Sequence, residues 1–133
     1  MENRYLYRGK RKDNGEWIFG NLIQTDDGVY IIQNYVPQHL IKNYEVDQST
    51  VCQCTGLKDK NGRLIWENDI MVAHLDDKFP EDTTYTRVVW DNNGFCTKEQ
   101  GSEDISPLDK FDQEHFEVCG NIFENMELLE VGE

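Results

Sequence analysis

Thr55-Gly56-Leu57-Lys58-Asp59-Lys60-Asn61-Gly62-Arg63-Leu64-Ile65-Trp66-Glu67-Asn68-Asp69-Ile70-Met71 is the stretch that decides the fold. It reads as strand, tight turn, strand, second tight turn, strand, compressed into 17 residues. Asn61-Gly62 is a hairpin dipeptide, because a two-residue turn of the favoured hand needs positive φ at both central positions. Asn68-Asp69 interrupts an apolar run, where Asn tolerates left-handed backbone and Asp bonds nearby backbone N–H groups. This succession predicts a small, highly bent β-barrel in which Asn61, Gly62, Asn68 and Asp69 are structural turn residues. The Asp69 carboxylate is expected to accept backbone N–H groups across its turn.

The residues before this stretch read as a meander. Arg4–Arg11, Trp17–Gln24 and Val29–Gln33 are rich in aromatic and β-branched residues, and they are separated by turns ending in Asn14-Gly15 and Asp27-Gly28. Gly20, inside the second strand, points to a bulge or a close backbone approach. Residues 34–49, which contain Pro37, read as the connection to the second part. Beyond it, strands are expected at Thr50–Gly56, Arg63–Trp66, Ile70–Leu75, Thr84–Trp90 and Phe95–Thr97, with an acidic loop at residues 76–83 and a turn at Asp91-Asn92-Asn93-Gly94. Ser106-Pro107 is expected to open a short helix, with Ser as N-cap, Pro at the first helical position and Asp109 in the first turn. Phe116–Phe123 reads as a strand and Asn125–Leu129 as a helical turn. Parallel strand–helix–strand units are absent, so the architecture is mostly β and antiparallel. The expected organisation is an N-terminal antiparallel meander and connector over residues 1–48, packed on a C-terminal small bent barrel of Src-homology type with a short helix over residues 49–133.

The 133 residues carry 26 acidic and 13 basic side chains, a net charge of −13. Residues 1–12 hold Arg4, Arg8, Lys10, Arg11 and Lys12 against Glu2, whereas Lys110 is the one cation among residues 99–133. Direct nucleic-acid binding is not expected, since it depends on clustered Lys and Arg. No apolar run approaches the ~20 residues of a membrane helix, and the N-terminus does not lead into a signal-peptide core. Neither membrane association nor export is expected, and a cytoplasmic location follows. There the four cysteines should stay reduced.

No catalytic, metal or cofactor site is expected. Cys52-x-Cys54 with His39 and His74 lacks the second ligand pair that structural zinc requires. Cys119 and His115 lie four residues apart around a strand, a spacing that does not join nucleophile and base. No nucleophile elbow, phosphate-cradling loop or dinucleotide fingerprint occurs. With so many acids, pairs such as Glu67 and Asp69 arise by chance, and general acid–base work also needs a cleft and a shifted pKa. Large aromatics dominate small cores, but Trp17, Phe19, Trp66 and Trp90 are candidates for an interaction surface.

Several segments resemble the YopX family of temperate phages and of prophages in Gram-positive bacteria. They are Tyr7-Arg8-Gly9-Lys10, Gly15-Glu16-Trp17-Ile18-Phe19-Gly20, Thr55-Gly56-Leu57-Lys58-Asp59-Lys60-Asn61-Gly62, Ile65-Trp66-Glu67-Asn68-Asp69-Ile70 and Glu117-Val118-Cys119-Gly120-Asn121-Ile122-Phe123-Glu124-Asn125. They stand in the family's order over nearly the whole chain. At position 68 the family usually has Gly, and Asn68 keeps the left-handed option. The resemblance implies a two-part β protein, a bacterial cytoplasm hosting a phage or prophage, and no assigned activity or catalytic residue. The expected role is therefore that of a non-catalytic accessory protein acting on a protein partner, with association into a homo-oligomer through strand edges. Two alternatives differ in what they require. An acidic decoy that mimics nucleic acid needs carboxylates in phosphate-like rows, and a small hydrolase needs a concave site with shifted pKa values.

Overall fold

Tyr7–Lys10 (β1) and Trp17–Thr25 (β2) pair antiparallel, with Tyr7 opposite Gly20 and Lys10 opposite Trp17. These belong to a computed structural model that describes residues 5–33, 42–75, 78 and 82–130. The connecting turn closes with the Gly15 N–H on the Arg11 carbonyl at 2.9 Å, and Gly15 sits at φ +74°. β2 then pairs with Gly28–Gln33 (β3), and β3 with Asn43–Glu45 (β4). Gly20 makes the close approach: a Cβ there would run into the Ile32 carbonyl. Alternate residues face opposite sides of a strand, so Ile18 is buried while Phe19 is exposed. Ile18, Val29, Ile31 and Val46 form the core of this first unit, with Val46 against the bare backbone of Gly9.

β4 falls in the expected connector. Three residues are too short for a period-2 pattern to be read, and Asn43 and Glu45 are not strand formers. Pro37 and the rest of residues 34–41 lie outside the described residues. A 3-10 helix, Gln48–Thr50, follows with Asp47 as its cap and leads into Cys52–Lys58 (β5). Arg8 pairs with Cys52, which gives the order β4-β3-β2-β1-β5.

The chain divides between Gly56 and Leu57, within β5, rather than at 48/49. The pairing of Tyr7 and Arg8 with Gln53 and Cys52 holds the start of β5 in the first unit. Gly56 itself has φ +81°.

In the second unit, Leu64–Trp66 (β6) follows the end of β5. Asp69–Ala73 (β7), Thr84–Asp91 (β8), Gly94–Glu99 (β9), Ile105–Pro107 (β10) and Glu117–Asn121 (β11) form an antiparallel sheet in the order β10-β9-β8-β7-β11. Its core is Ile65, Met71, Ala73, Val88, Phe116 and Val118. The mostly β, antiparallel expectation holds for both sheets. The barrel closure does not: among the described residues this sheet is open, with β10 and β11 at its ends. β10 is three residues long and ends in Pro107, which has no N–H to donate, while β11 carries a register shift between Val118 and Gly120.

The expected helix start at Ser106-Pro107 is also corrected. Ser106 pairs with Thr97 and Pro107 with Cys96, so both belong to β10. The helix (α1) is Lys110–His115. Its N-cap is Asp109, whose carboxylate accepts the Asp112 N–H at 3.1 Å while the Asp112 carboxylate accepts the Asp109 N–H at 3.1 Å. This reciprocal cap satisfies two free donors at once and outcompetes a Ser-Pro start. The closing helical turn is a 3-10 helix, Met126–Leu129.

Candidate functional site

The turn residues of the second unit form two anchored corners. At the first, the Gly62 N–H meets the Asp59 carbonyl at 3.0 Å, and Gly62 has φ +81°. Asn68 is the one positive-φ residue other than Gly among the described residues, so Asn61 does not share that conformation. The corner is therefore a tight turn closed by a left-handed glycine rather than the expected two-residue loop. Asp59 organises it. One oxygen accepts the Asn61 and Arg63 N–H groups, both at 2.9 Å, and the other accepts the Val118 N–H at 2.8 Å. Asp59 was not singled out from sequence. The available signal was Asp at the first position of a turn whose fourth residue is Gly. Asn61 extends from the turn to the Glu117 carboxylate at 2.7 Å.

At the second corner Asn68 has φ +71°. Its N–H donates to the Val88 carbonyl at 2.8 Å, and its own carbonyl accepts from Ile122 at 3.0 Å. Buried Asp69, only 2 % exposed, accepts the Trp66 N–H at 2.8 Å. Both corners serve the backbone, and neither presents a carboxylate to a ligand.

The four surface candidates separate. Trp66 is buried at 7 % exposure, so it is core and not surface. Trp90 is 54 % exposed and packs edge-on against Phe95, with centroids 5.0 Å apart. Trp17 and Phe19 lie on one face of β2, opposite Lys10 and Arg8 in β1. The Arg8 guanidinium stands 4.7 Å and the Lys10 ammonium 5.4 Å from the Trp17 ring centre. These cation–π distances fix a block of two cations and two aromatics, from which Phe19 emerges 46 % exposed.

The thiols give no reactive centre. Cys52 and Cys54 are fully buried, and all four cysteines are free. Burial pushes the Cys119 thiol up, and the nearby Glu117 and Asp69 charges add to that. Burial likewise raises Cys96. Among the described residues no group of three or more His, Cys, Asp or Glu could hold a metal ion; His39 lies outside them. No described helix is long and apolar enough to cross a membrane.

One concavity in the second unit was not anticipated: a cavity of about 450 Å³ on the core-side face of the β8–β9–β10 sheet, beside α1. Thr84 and Thr86 of β8 share that face with core residue Val88. Thr97 and Glu99 of β9 stand opposite Val88 and Thr86. Asp112, on α1 at the cavity, is raised by burial and further by the Asp109 charge. Sequence reading missed this arrangement because it needs the register of three strands.

A solved structure, that of protein EF1440 from Enterococcus faecalis, has the same fold: it aligns with a TM-score of 0.55 over 93 % of this chain and 96 % of its own, at 23 % identity. No curated protein matches the chain. The family model described as YopX protein matches residues 6–130, nearly the whole chain. With its segments in the family's order and that match spanning both units, the chain belongs to the YopX family.

Proposed function

We propose that this chain is a non-catalytic accessory protein of a phage or prophage, acting in the host cytoplasm by binding a protein partner. The observation that carries this reading is the block formed by Arg8, Lys10, Trp17 and Phe19 on β1 and β2. Rigid aromatics flanked by cations are typical anchors of protein interfaces, because they add contact area at low cost in side-chain entropy. Phe19 is held by β2's pairing with β1, opposite Arg8, and still exposes 46 % of its surface.

Catalysis receives less support. The two adjacent carboxylates at the cavity, Asp109 and Asp112, cap α1 through backbone hydrogen bonds, and no His, Cys or Lys lines that space among the described residues. The hydroxyls that line it, Ser102 and Ser106 included, have no His beside them among the described residues to serve as the base of a nucleophile–base pair.

The test is affinity capture from lysogenic and infected cells with the natural protein and with Phe19→Ser in parallel. A partner retained by the former and lost by the latter supports the reading. Identical captures from both would remove Phe19 from the interface and the reading with it. Self-association belongs to the same proposal, and light scattering across low and moderate salt reports it directly.

A further inference from the structure

Almost all of the net negative charge lies in one unit. Residues 57–133 hold 19 acidic and 7 basic residues, a net −12, while residues 1–56 hold 7 and 6, a net −1. The cavity in the second unit concentrates that charge: Glu99, Asp104, Asp109 and Asp112 all line it, and no Lys, Arg or His does so among the described residues. None of these four carboxylates has an ion-pair partner among the described residues.

A group of acids alone would be a solvated surface. The second observation is Thr86. It lines the cavity at 3 % exposure, and its Oγ1 has no hydrogen-bond partner among the described residues. A buried hydroxyl without a partner carries an uncompensated desolvation cost, and such a group is ordinarily satisfied by a ligand or by water. The surrounding polar atoms are acceptors or hydroxyls. Thr86 stands beside Glu99 in register, and the Thr97 hydroxyl reaches the Ser106 carbonyl only at 3.4 Å. Phe111, half exposed on α1 and stacked on His115 at 4.1 Å, adds an aromatic wall.

We propose that this cavity binds a guanidinium group, the side chain of an arginine on a partner polypeptide. The match is chemical. A guanidinium offers five N–H donors in a planar fork and no acceptor, and this cavity offers carboxylate and hydroxyl oxygens and no cation. It is weakly hydrated and stacks on aromatic rings, which a compact ammonium does less well. The volume of about 450 Å³ is in the range of small-ligand sites. The −12 of the unit draws such a cation toward it. This assignment is independent of the Phe19 surface and survives if that surface fails.

The experiment is an NMR titration of the whole protein at low salt with three probes: N-acetyl-arginine amide, its uncharged isostere N-acetyl-citrulline amide, and N-acetyl-lysine amide. The arginine probe should move the Thr84, Thr86, Thr97 and Ser106 amide signals saturably, the lysine probe more weakly, and the citrulline probe not at all. Thr86→Val keeps the side chain's shape and should weaken arginine binding about tenfold, the worth of one hydrogen bond to a charged group, while the free protein melts no lower. Asp104→Asn, on an exposed residue, should also weaken it. Signals that move with protein concentration alone would place the arginine on a second copy of this chain, and signals that need the added probe would place it on another protein; both keep the assignment. Equal response to citrulline or lysine, arginine affinity unchanged by both variants, or shifts centred on distant acids such as Glu124 would overturn it.

Discussion

The Asp59 carboxylate accepts the backbone N–H of Val118 at 2.8 Å, joining positions 59 residues apart in sequence. The other oxygen of the same carboxylate holds the turn that follows it. One buried side chain thus fixes both a local corner and the β11 strand. Asp59→Ala should destabilise the protein by about 2–4 kcal/mol, since it leaves several backbone donors unpaired. Asp59→Asn should fall between, because its amide oxygen can serve the turn while its NH₂ cannot accept from Val118. Urea denaturation of the three proteins checks the order.

Asn68→Gly should be neutral or mildly stabilising, because φ +71° is free of steric cost for glycine. Asn68→Val should lose about 1–2 kcal/mol or more, since a β-branched residue resists that conformation. Asp69→Ala should cost about 1–3 kcal/mol through the Trp66 N–H it leaves unpaired. An Asp69→Ala protein that melts with the natural one would contradict the anchoring role.

Gly20→Ala should be among the most damaging single changes in the first unit. The added methyl meets the Ile32 backbone carbonyl, and backbone cannot yield as a side-chain tip can. A loss of about 3 kcal/mol or more is expected, against about 0.5 kcal/mol for an ordinary surface change. Circular dichroism with thermal melting distinguishes the two.

The Asp112 carboxyl is raised by burial, and the Asp109 charge adds to this. An acid raised in the folded state contributes stability that is fully present below its unfolded pKa, about 4, and is lost as pH rises through the folded value. Asp112→Asn keeps an acceptor for the Asp109 N–H and removes the titration. It should therefore flatten the decline in melting temperature from acid toward neutral pH while leaving α1 capped. An unchanged slope would show that Asp112 does not govern it.

Alkylation of the native protein near neutral pH should spare Cys52 and Cys54, which are fully buried. Cys119 should react, but more slowly than a free thiol, because its raised pKa lowers the thiolate fraction. Mass spectrometry over a time course reads each site.

Sequence signals marked most strands and both tight corners because Gly, Asn and Asp have few reasons to stand where they do. Gly62 and Asn68 take left-handed backbone, and a short dipeptide is enough to announce that. What stayed hidden depends on register. Trp66 looked like a surface aromatic because its fate is decided by which face of β6 turns inward, and a three-residue strand has no pattern to reveal it. Ser106-Pro107 carried a valid helix-start signal, but Thr97 and Cys96 paired with it first. The helix instead began at a reciprocal Asp pair that reads as ordinary acidic surface. The cavity was least legible, because Thr86, Glu99 and Asp112 meet through strand pairing and a helix position that no local window contains.

β7 takes its hydrogen-bonding partners from β8, soon after it in the chain, and from β11, which follows β8, β9, β10 and α1. During synthesis on the ribosome, the segment through β10 therefore emerges with one flank of β7 unpaired, and the core residues Phe116 and Val118 are still unmade. The second unit cannot complete its interior until Phe116 and Val118 have been made. A transcript truncated shortly before Glu117 would release a chain with an open, apolar strand edge, the kind of product that quality-control proteases remove.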